Sequence, residues 1–288
     1  MKKYDFHLHT NASDGKLSSK ELVALAKKEN IELMAITDHD NTDGIEAGIK
    51  AAKELNVNLI PGIELSTQHN HENIHVLGYF PDYNFRSKNF QDFLNDMKNQ
   101  RLQRGKKIVD NLYKYFNIKI DYNKLISNVN GVIARPHIAR EIISSGYDYS
   151  WEYIFNNIIS SDSPAYVPNK KLSVEDGLKV LKSVNAVTVL AHPVLIKNTP
   201  AKEMVHYAFD GIEAVYSQNT EEDTEFFIKL AKENGKVVTC GSDFHGGDAG
   251  DKKHGYIGST KCPEELLSPF LDLINKKWLH PMSAGYVH

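Results

Sequence analysis

Residues 2–9 read KKYDFHLH. This is the form of a strand that ends in two imidazoles on one side, because residues i and i+2 of a strand point to the same face. The next stretch, SSKELVALAKKEN (18–30), carries Ser18 as an N-cap with Glu21 three residues on, the capping box of a helix. ELMAITDHD (32–40) is a second apolar run with a polar end, and NTDGIEAGIKAAKELN (41–56) reads as a second helix. VNLIPGIELST (57–67) and NIHVLGYF (73–80) read as two more strands. The β-α-β-α-β order predicts an α/β fold built on a parallel sheet or barrel.

The pattern then changes. From about Arg86 to Ile120 the chain is a long polar helical stretch, and ARPHIAREIISSG (134–146) and SWEYIFNNII (150–159) read as shorter helices. No strand is expected between about 86 and 170. Alternation resumes with the helix VEDGLKVLKSVN (174–185) and the strand AVTVLAHP (186–193). The strand DGIEAVY (210–216), the helix TEEDTEFFIKLAKENG (220–235) and the strand KVVTCGSDFH (236–245) follow. The expected organisation is a discontinuous barrel domain, 1–85 with 172–288, and a helical insertion, 86–171, that caps the active site.

Composition excludes several classes. Hydrophobic residues make up 41% of the 288, enough for a sizeable core. A net charge of −3 supplies no global basic field, which argues against duplex DNA as a partner. The start, MKKYDFHLHT, lacks the apolar core of a signal peptide, and no stretch is long enough to span a membrane. Two cysteines, Cys240 and Cys262, form no disulfide framework and suit a reducing compartment, so a cytoplasmic location is expected. The 13 histidines are the departure from average usage, and their positions carry the functional reading.

Apolar strands repeatedly end in metal-ligand types: His39 in MAITDHD, Glu64 in LIPGIE, His192 in VTVLAHP, and Asp243 with His245 in VVTCGSDFH. His75 joins them, although it sits early in its strand, and Asp14 lies in the loop after His7 and His9. Each has an ordinary explanation alone, as a turn residue or a solvated strand end. Together they place His, Glu and Asp on the rim where barrel enzymes keep their active sites. Six imidazoles and three carboxylates suit Mn²⁺, Zn²⁺ or Fe²⁺ better than Mg²⁺ or Ca²⁺. His69 and His71 read as exposed loop residues, His206, His280 and His288 have no partner signature, and His254 is a weaker candidate for substrate contact. Cys240 reads as core.

The motifs DFHLHTNASDG, ITDHDN, PGIE, HVLGYF, AHP and GSDFHG, in this order along the chain, resemble the polymerase and histidinol phosphatase (PHP) superfamily. RPHIAR within an insertion of this size is similar to the TrpH-like phosphoesterases, which include nucleoside 3′,5′-bisphosphate phosphatases and a 5′-to-3′ exoribonuclease. The resemblance implies a distorted (β/α)7 barrel and three divalent metal ions, with manganese the usual activator. It implies that His7, His9, Glu64 and Asp243 hold one ion. Glu64 would bridge to a second ion, completed by His75 and His192, and Asp14, His39 and His245 would hold the third. The catalytic set would be His7, His9, Asp14, His39, Glu64, Asp243 and His245. Arg101, Arg104, Arg135 and His137 would meet the substrate.

The expected activity is a metal-dependent phosphoric ester hydrolysis in which a metal-bound hydroxide attacks phosphorus. The expected substrates are nucleoside 3′,5′-bisphosphates or short 5′-phosphorylated RNA. Histidinol-phosphate phosphatase is the alternative within the superfamily. A C–N hydrolase of the amidohydrolase type is the alternative of another class, and a noncatalytic domain with a relic site is a further one.

Overall fold

The computed structural model describes residues 2–127, 133, 135–168, 172–247 and 254–279. His280 and His288 lie outside these residues. Seven strands form one sheet in strict chain order. Strand β1 (Lys3–Asp5) pairs in parallel with β2 (Ile31–Ile36), and β2 with β3 (Asn58–His69). Helices α1 (Ser19–Lys28) and α2 (Ile45–Leu55) make the two crossovers. The α1 capping box is present as read, with Ser18 and Glu21 exchanging hydrogen bonds at the first turn.

The departure from a parallel sheet is β4 (Glu72–Tyr79), which folds back on β3 as a hairpin and runs antiparallel to both neighbours. Only two residues, Asn70 and His71, separate the strands, and both have positive φ (45° and 64°), the backbone twist of a tight hairpin turn. The reversal explains the position of His75. A strand running the other way brings its early residues to the rim that its neighbours reach at their ends, and His75 pairs with Ser66, two residues beyond Glu64. His69 belongs to β3 rather than to a loop, and its Nδ1 meets the Tyr207 hydroxyl at 2.7 Å.

The second half returns to parallel pairing through β5 (Val187–Leu190), β6 (Gly211–Tyr216) and β7 (Val237–Gly241). The ends of the sheet meet: Phe6 N donates to Cys240 O at 3.0 Å, His9 N donates to Phe244 O at 3.0 Å, and Leu8 bridges Phe244 in parallel. The closure makes the sheet a distorted barrel. It is fastened by buried Asp5, which accepts from Ser242 N (3.0 Å), Ser242 Oγ (2.6 Å) and Gly258 N (2.8 Å).

Between β4 and β5 the chain forms α3 (Lys88–Phe116), α4 (Tyr122–Ser127), α5 (Arg135–Ser144), the single turn α6 (Trp151–Tyr153) and α7 (Val174–Ser183). After α6 the chain widens into a π turn, Ile154–Ile158, where a regular helix was expected over 150–159. Later come α8 (Ala201–Met204), α9 (Glu221–Glu233) and α10 (Glu264–Leu279). The chain divides into two compact units, 1–91 with 172–288, and 92–171. In the first, Phe6, Tyr79 and Phe270 pack edge to face with centroids 5.0–6.3 Å apart. The second has its own apolar cluster around Leu112, Ile138, Ile142 and Ile154. Among the described residues no helix is long and apolar enough to cross a membrane.

Candidate metal centre

Glu64, fully buried on β3, is the hub of the rim. Five imidazoles surround its carboxylate. His75 Nδ1 and His192 Nε2 approach Oε1 at 2.7 and 2.9 Å. His39 Nδ1, His7 Nε2 and His9 Nε2 approach Oε2 at 3.0, 3.2 and 3.3 Å. These rings come from four separate segments, His7 and His9 from the one after β1, His39 from the one after β2, His75 from within β4 and His192 from the one after β5, so no local hydrogen-bonding need of one segment explains their meeting.

Two more acids complete the cluster. Asp243 Oδ1 lies 3.2 Å from His9 Nε2 and 3.4 Å from His7 Nε2. Asp14, at the exposed side, lies 3.2 Å from His245 Nε2, 3.7 Å from His9 Nδ1 and 3.8 Å from His39 Nε2. All nine residues expected as ligands therefore stand in one constellation. Their ligand atoms group as His7/His9/Glu64/Asp243, His39/Glu64/His75 and His9/Asp14/His39/His245. His192 joins the constellation through its contact with Glu64.

The donor set fits divalent ions on a structural observation. Buried polar atoms are normally hydrogen-bonded. Yet His7 Nε2, His9 Nδ1 and Nε2, His39 Nδ1, Glu64 Oε2 and His192 Nδ1 have no hydrogen-bond partner, although several lie within 3.0–3.3 Å of an acid oxygen. The atoms are close but not aligned as donor and acceptor. That is the arrangement of lone pairs sharing a cation. His192 and Asp243 also hold positive φ, 26° and 58°, conformations that non-glycine residues adopt at a cost and that gather at functional sites.

Electrostatics keeps the acids in ligand form. Burial pushes Glu64 upward, but His39, His7 and His75 outweigh it and hold the carboxyl well below the usual range. Asp243 is held down in the same way, against its own burial, by His7 and His9.

The supporting groups include residues that strand-end reasoning did not select. Glu213, completely buried on β6, meets His7 Nδ1 at 3.0 Å and accepts from His192 N at 2.7 Å. Tyr216 donates its hydroxyl to Asp243 Oδ2 at 2.9 Å. Asp38 accepts from Thr10 N, Thr10 Oγ1 and Ser13 Oγ at 2.6–2.7 Å, fixing the loop that carries Asp14. Asp40 accepts from Ser66 N and Oγ, both at 2.7 Å, tying the chain after His39 to β3.

The expected substrate residues belong to the second unit. Arg101 and Arg104 lie on α3, and Arg135 and His137 in the first turn of α5. Arg104 donates to Val167 O at 2.8 Å and lies 5.9 Å from the Tyr166 ring centre. Burial lowers the pKa of its guanidinium, and Arg135 and Arg101 are near enough to push in the same direction. Arg135 lies 5.9 Å from the Phe155 ring centre. The three arginines thus bring like charges near one another.

Comparison with known proteins agrees with this picture. A family model described as PHP domain matches residues 5–163. The chain is 31% identical over 256 residues to the 5′-3′ exoribonuclease Rnm of Salmonella typhimurium, covering 84% of this chain and 85% of the relative. It is 25% identical over 290 residues to the 3′,5′-nucleoside bisphosphate phosphatase of Chromobacterium violaceum, covering 98% and 99%. A solved structure described as a metal-dependent phosphoesterase of Bifidobacterium adolescentis superposes with a TM-score of 0.75 at 25% identity, covering 94% and 96% of the two chains.

Proposed function

The chain belongs to the PHP domain family, and from that premise we propose that it is a metal-dependent phosphoesterase acting on nucleoside 3′,5′-bisphosphates or 5′-phosphorylated oligoribonucleotides. The observation that carries the reading is the meeting of five imidazoles on the single buried carboxylate of Glu64. In this reading His7, His9, Glu64 and Asp243 hold one ion, Glu64, His75 and His192 a second, and Asp14, His39 and His245 a third, with Mn²⁺ the resident metal and Zn²⁺ or Fe²⁺ able to replace it. Bound divalent ions in such a site acidify water and offset charge on the phosphoryl oxygens.

The chain's own residues do the rest. Glu213 keeps the His7 ring turned so that Nε2 faces the centre. Tyr216 restrains one oxygen of Asp243 and leaves the other toward His7 and His9. Arg101 and Arg104 bind the phosphate that is not being cleaved, Arg135 binds the phosphate that mono- and bisphosphate share, and His137 orients the ester or protonates its leaving oxygen. The second unit thus serves as the selective element of this reading. Two buried free thiols, Cys240 and Cys262, fit a cytoplasmic setting.

The test is phosphate release from a nucleoside 3′,5′-bisphosphate, a short 5′-phosphorylated RNA and histidinol phosphate, each with Mn²⁺ and after chelation. Preference for the first two supports the reading. Preference for histidinol phosphate overturns the substrate assignment, and turnover by metal-free protein overturns the metal reading.

A further inference from the structure

Two imidazoles stack on His245. His9 lies with its ring centroid 4.1 Å away and its plane 17° from parallel, and His254 lies at 4.0 Å and 25°. A ring stacked at such a distance fills a face, so the two neighbours take opposite faces of His245. None of the three ligand sets described above uses His254. Even so, ligand atoms of Asp243, His245 and His254 all lie within 4.8 Å of one another.

The backbone just after His254 is pinned. Gly255 N donates to Ser242 O at 2.9 Å. A Cβ at Gly255 would come within 2.5 Å of Ser217 Cβ and 2.7 Å of Ser242 O, so only glycine lets the chain lie this close to the end of β7. Tyr256 packs edge-on against Phe244 at 5.6 Å and donates its hydroxyl to Glu29 at 3.1 Å. Gly258 N donates to Asp5 Oδ2 at 2.8 Å. Together these contacts hold the start of this segment beside Asp243 and His245. His254 itself is half-buried, within reach of an ion arriving from solvent.

Two imidazoles and a carboxylate are a mixed nitrogen and oxygen set of the kind that selects divalent transition metals. We propose that His254 is a metal ligand of this chain, joining Asp243 and His245 to hold a divalent transition ion at the more exposed side of the centre. The proposal rests on the metal reading of the site but adds a ligand to it. It makes the capacity of the centre depend on a residue outside the strand-end set.

The experiment is a titration of the full chain with Co²⁺ alone, followed by visible absorption and elemental analysis, for the wild type and for His254→Ala, His254→Phe and His254→Asp. The phenyl ring of His254→Phe keeps the stack on His245 but offers no lone pair, whereas His254→Asp loses the stack and keeps a ligand. The expected result is that Ala and Phe each weaken one class of bound ion by about tenfold or more and reduce the cobalt absorption, while Asp retains most of both. Wild-type affinity in His254→Phe would overturn the proposal and leave His254 a stacking partner. Wild-type affinity in His254→Ala, or loss in His254→Asp equal to that in His254→Phe, would overturn it too. Should His254→Ala fail to fold, the Phe and Asp pair still decides. A wild type that takes up no Co²⁺ overturns the metal reading itself, which separates that failure from the failure of this proposal.

Discussion

His7 Nδ1 meets Glu213 Oε1 at 3.0 Å, while Nε2 of the same ring lies 3.2 Å from Glu64 on the opposite side. One imidazole thus joins a completely buried carboxylate behind the site to the hub of the site. A proton on Nδ1, shared with Glu213, leaves the Nε2 lone pair for a metal, which is how outer carboxylates commonly set the tautomer of a ligand histidine. Glu213 also holds His192 through its backbone N–H at 2.7 Å, so one side chain orients two members of the cluster.

Replacing Glu213 by Gln keeps the shape but turns one acceptor into a donor facing an N–H. Divalent-ion affinity is expected to fall by about 10–100-fold, the range found when outer partners of metal-bound histidines are changed. Chelator competition measures it. An affinity within twofold of the wild type would show that packing alone orients His7.

Asp14 is the exposed member of its set, half open to solvent, and no buried packing depends on its side chain. Asp14→Ala should therefore fold normally and lose about 100-fold or more in kcat, since charge stabilisation by a held metal is worth several kcal/mol. Steady-state kinetics with matched circular dichroism checks both halves of the expectation. Activity within a factor of a few would remove Asp14 from the site.

Much of this centre was legible because barrel active sites gather at the rim where apolar runs end, and His39, Glu64, His192, Asp243 and His245 each follow an apolar run, although β3 continues past Glu64 to His69. His75 fitted badly in a parallel reading, since nothing in NIHVLGYF announces that β4 runs backward; the signal was the two-residue Asn70-His71 turn. Glu213 was missed because its strand was read for pattern and not for content. An acid inside DGIEAVY, where every residue of β6 from Gly211 to Tyr216 is buried, is costly unless paired, and that cost was the available clue. Asp38 and Asp40 flank His39 in the same motif, but their partners, Thr10, Ser13 and Ser66, lie on other segments, which one sequence window cannot reveal. The reading of elements ended at His245 and left out α10, although its buried Leu267, Phe270 and Ile274 recur at helical spacing, a pattern that Pro269 inside the helix interrupts.

Asp5 yields a pH prediction. Burial raises its carboxyl to about 6 from the ordinary 3.8, against the opposing pull of donors from Gly258, Ser242 and His7. A raised acid favours the protonated folded state. The contribution of Asp5 to stability is therefore full below about pH 4 and is lost as pH rises through about 6. Asp5→Asn has no such titration. In urea unfolding of metal-free protein, the stability difference between wild type and Asp5→Asn should shift against the wild type by about 1 kcal/mol between pH 5 and 7. A difference independent of pH would show that the Asp5 carboxyl titrates alike in both states.

Metal removal should act on stability as well as on turnover. The cluster leaves buried nitrogen and oxygen atoms without partners, and ions that bind only the folded chain stabilise it by mass action. Exhaustive chelation is expected to abolish phosphate release and lower Tm, and added Mn²⁺ to restore both. An unchanged Tm with full activity in protein shown metal-free by elemental analysis would contradict the assignment.

The arginines of the second unit give the test of selectivity. A centre of divalent ions would bind any phosphate ester, so discrimination between substrates must come from elsewhere. Arg104 is held by its bond to Val167 O, and its guanidinium sits near the like charges of Arg101 and Arg135. Such a group of cations is relieved by an anion, and a nucleoside 3′,5′-bisphosphate brings a second phosphate that a 5′-monophosphate lacks. The wild type should therefore show higher kcat/KM for the bisphosphate than for the matching monophosphate. Arg135→Ala should weaken both substrates through loss of a charge-assisted hydrogen bond worth roughly 1.5–3 kcal/mol. If Arg104, held by its bond to Val167 O, grips the extra phosphate, Arg104→Ala should narrow the gap between them. Arg104→Lys should keep only part of the preference, since an ammonium supplies charge without the guanidinium fork. Equal kcat/KM for the two substrates in the wild type would take selectivity away from the arginines and return the choice to a general or histidinol-type phosphatase.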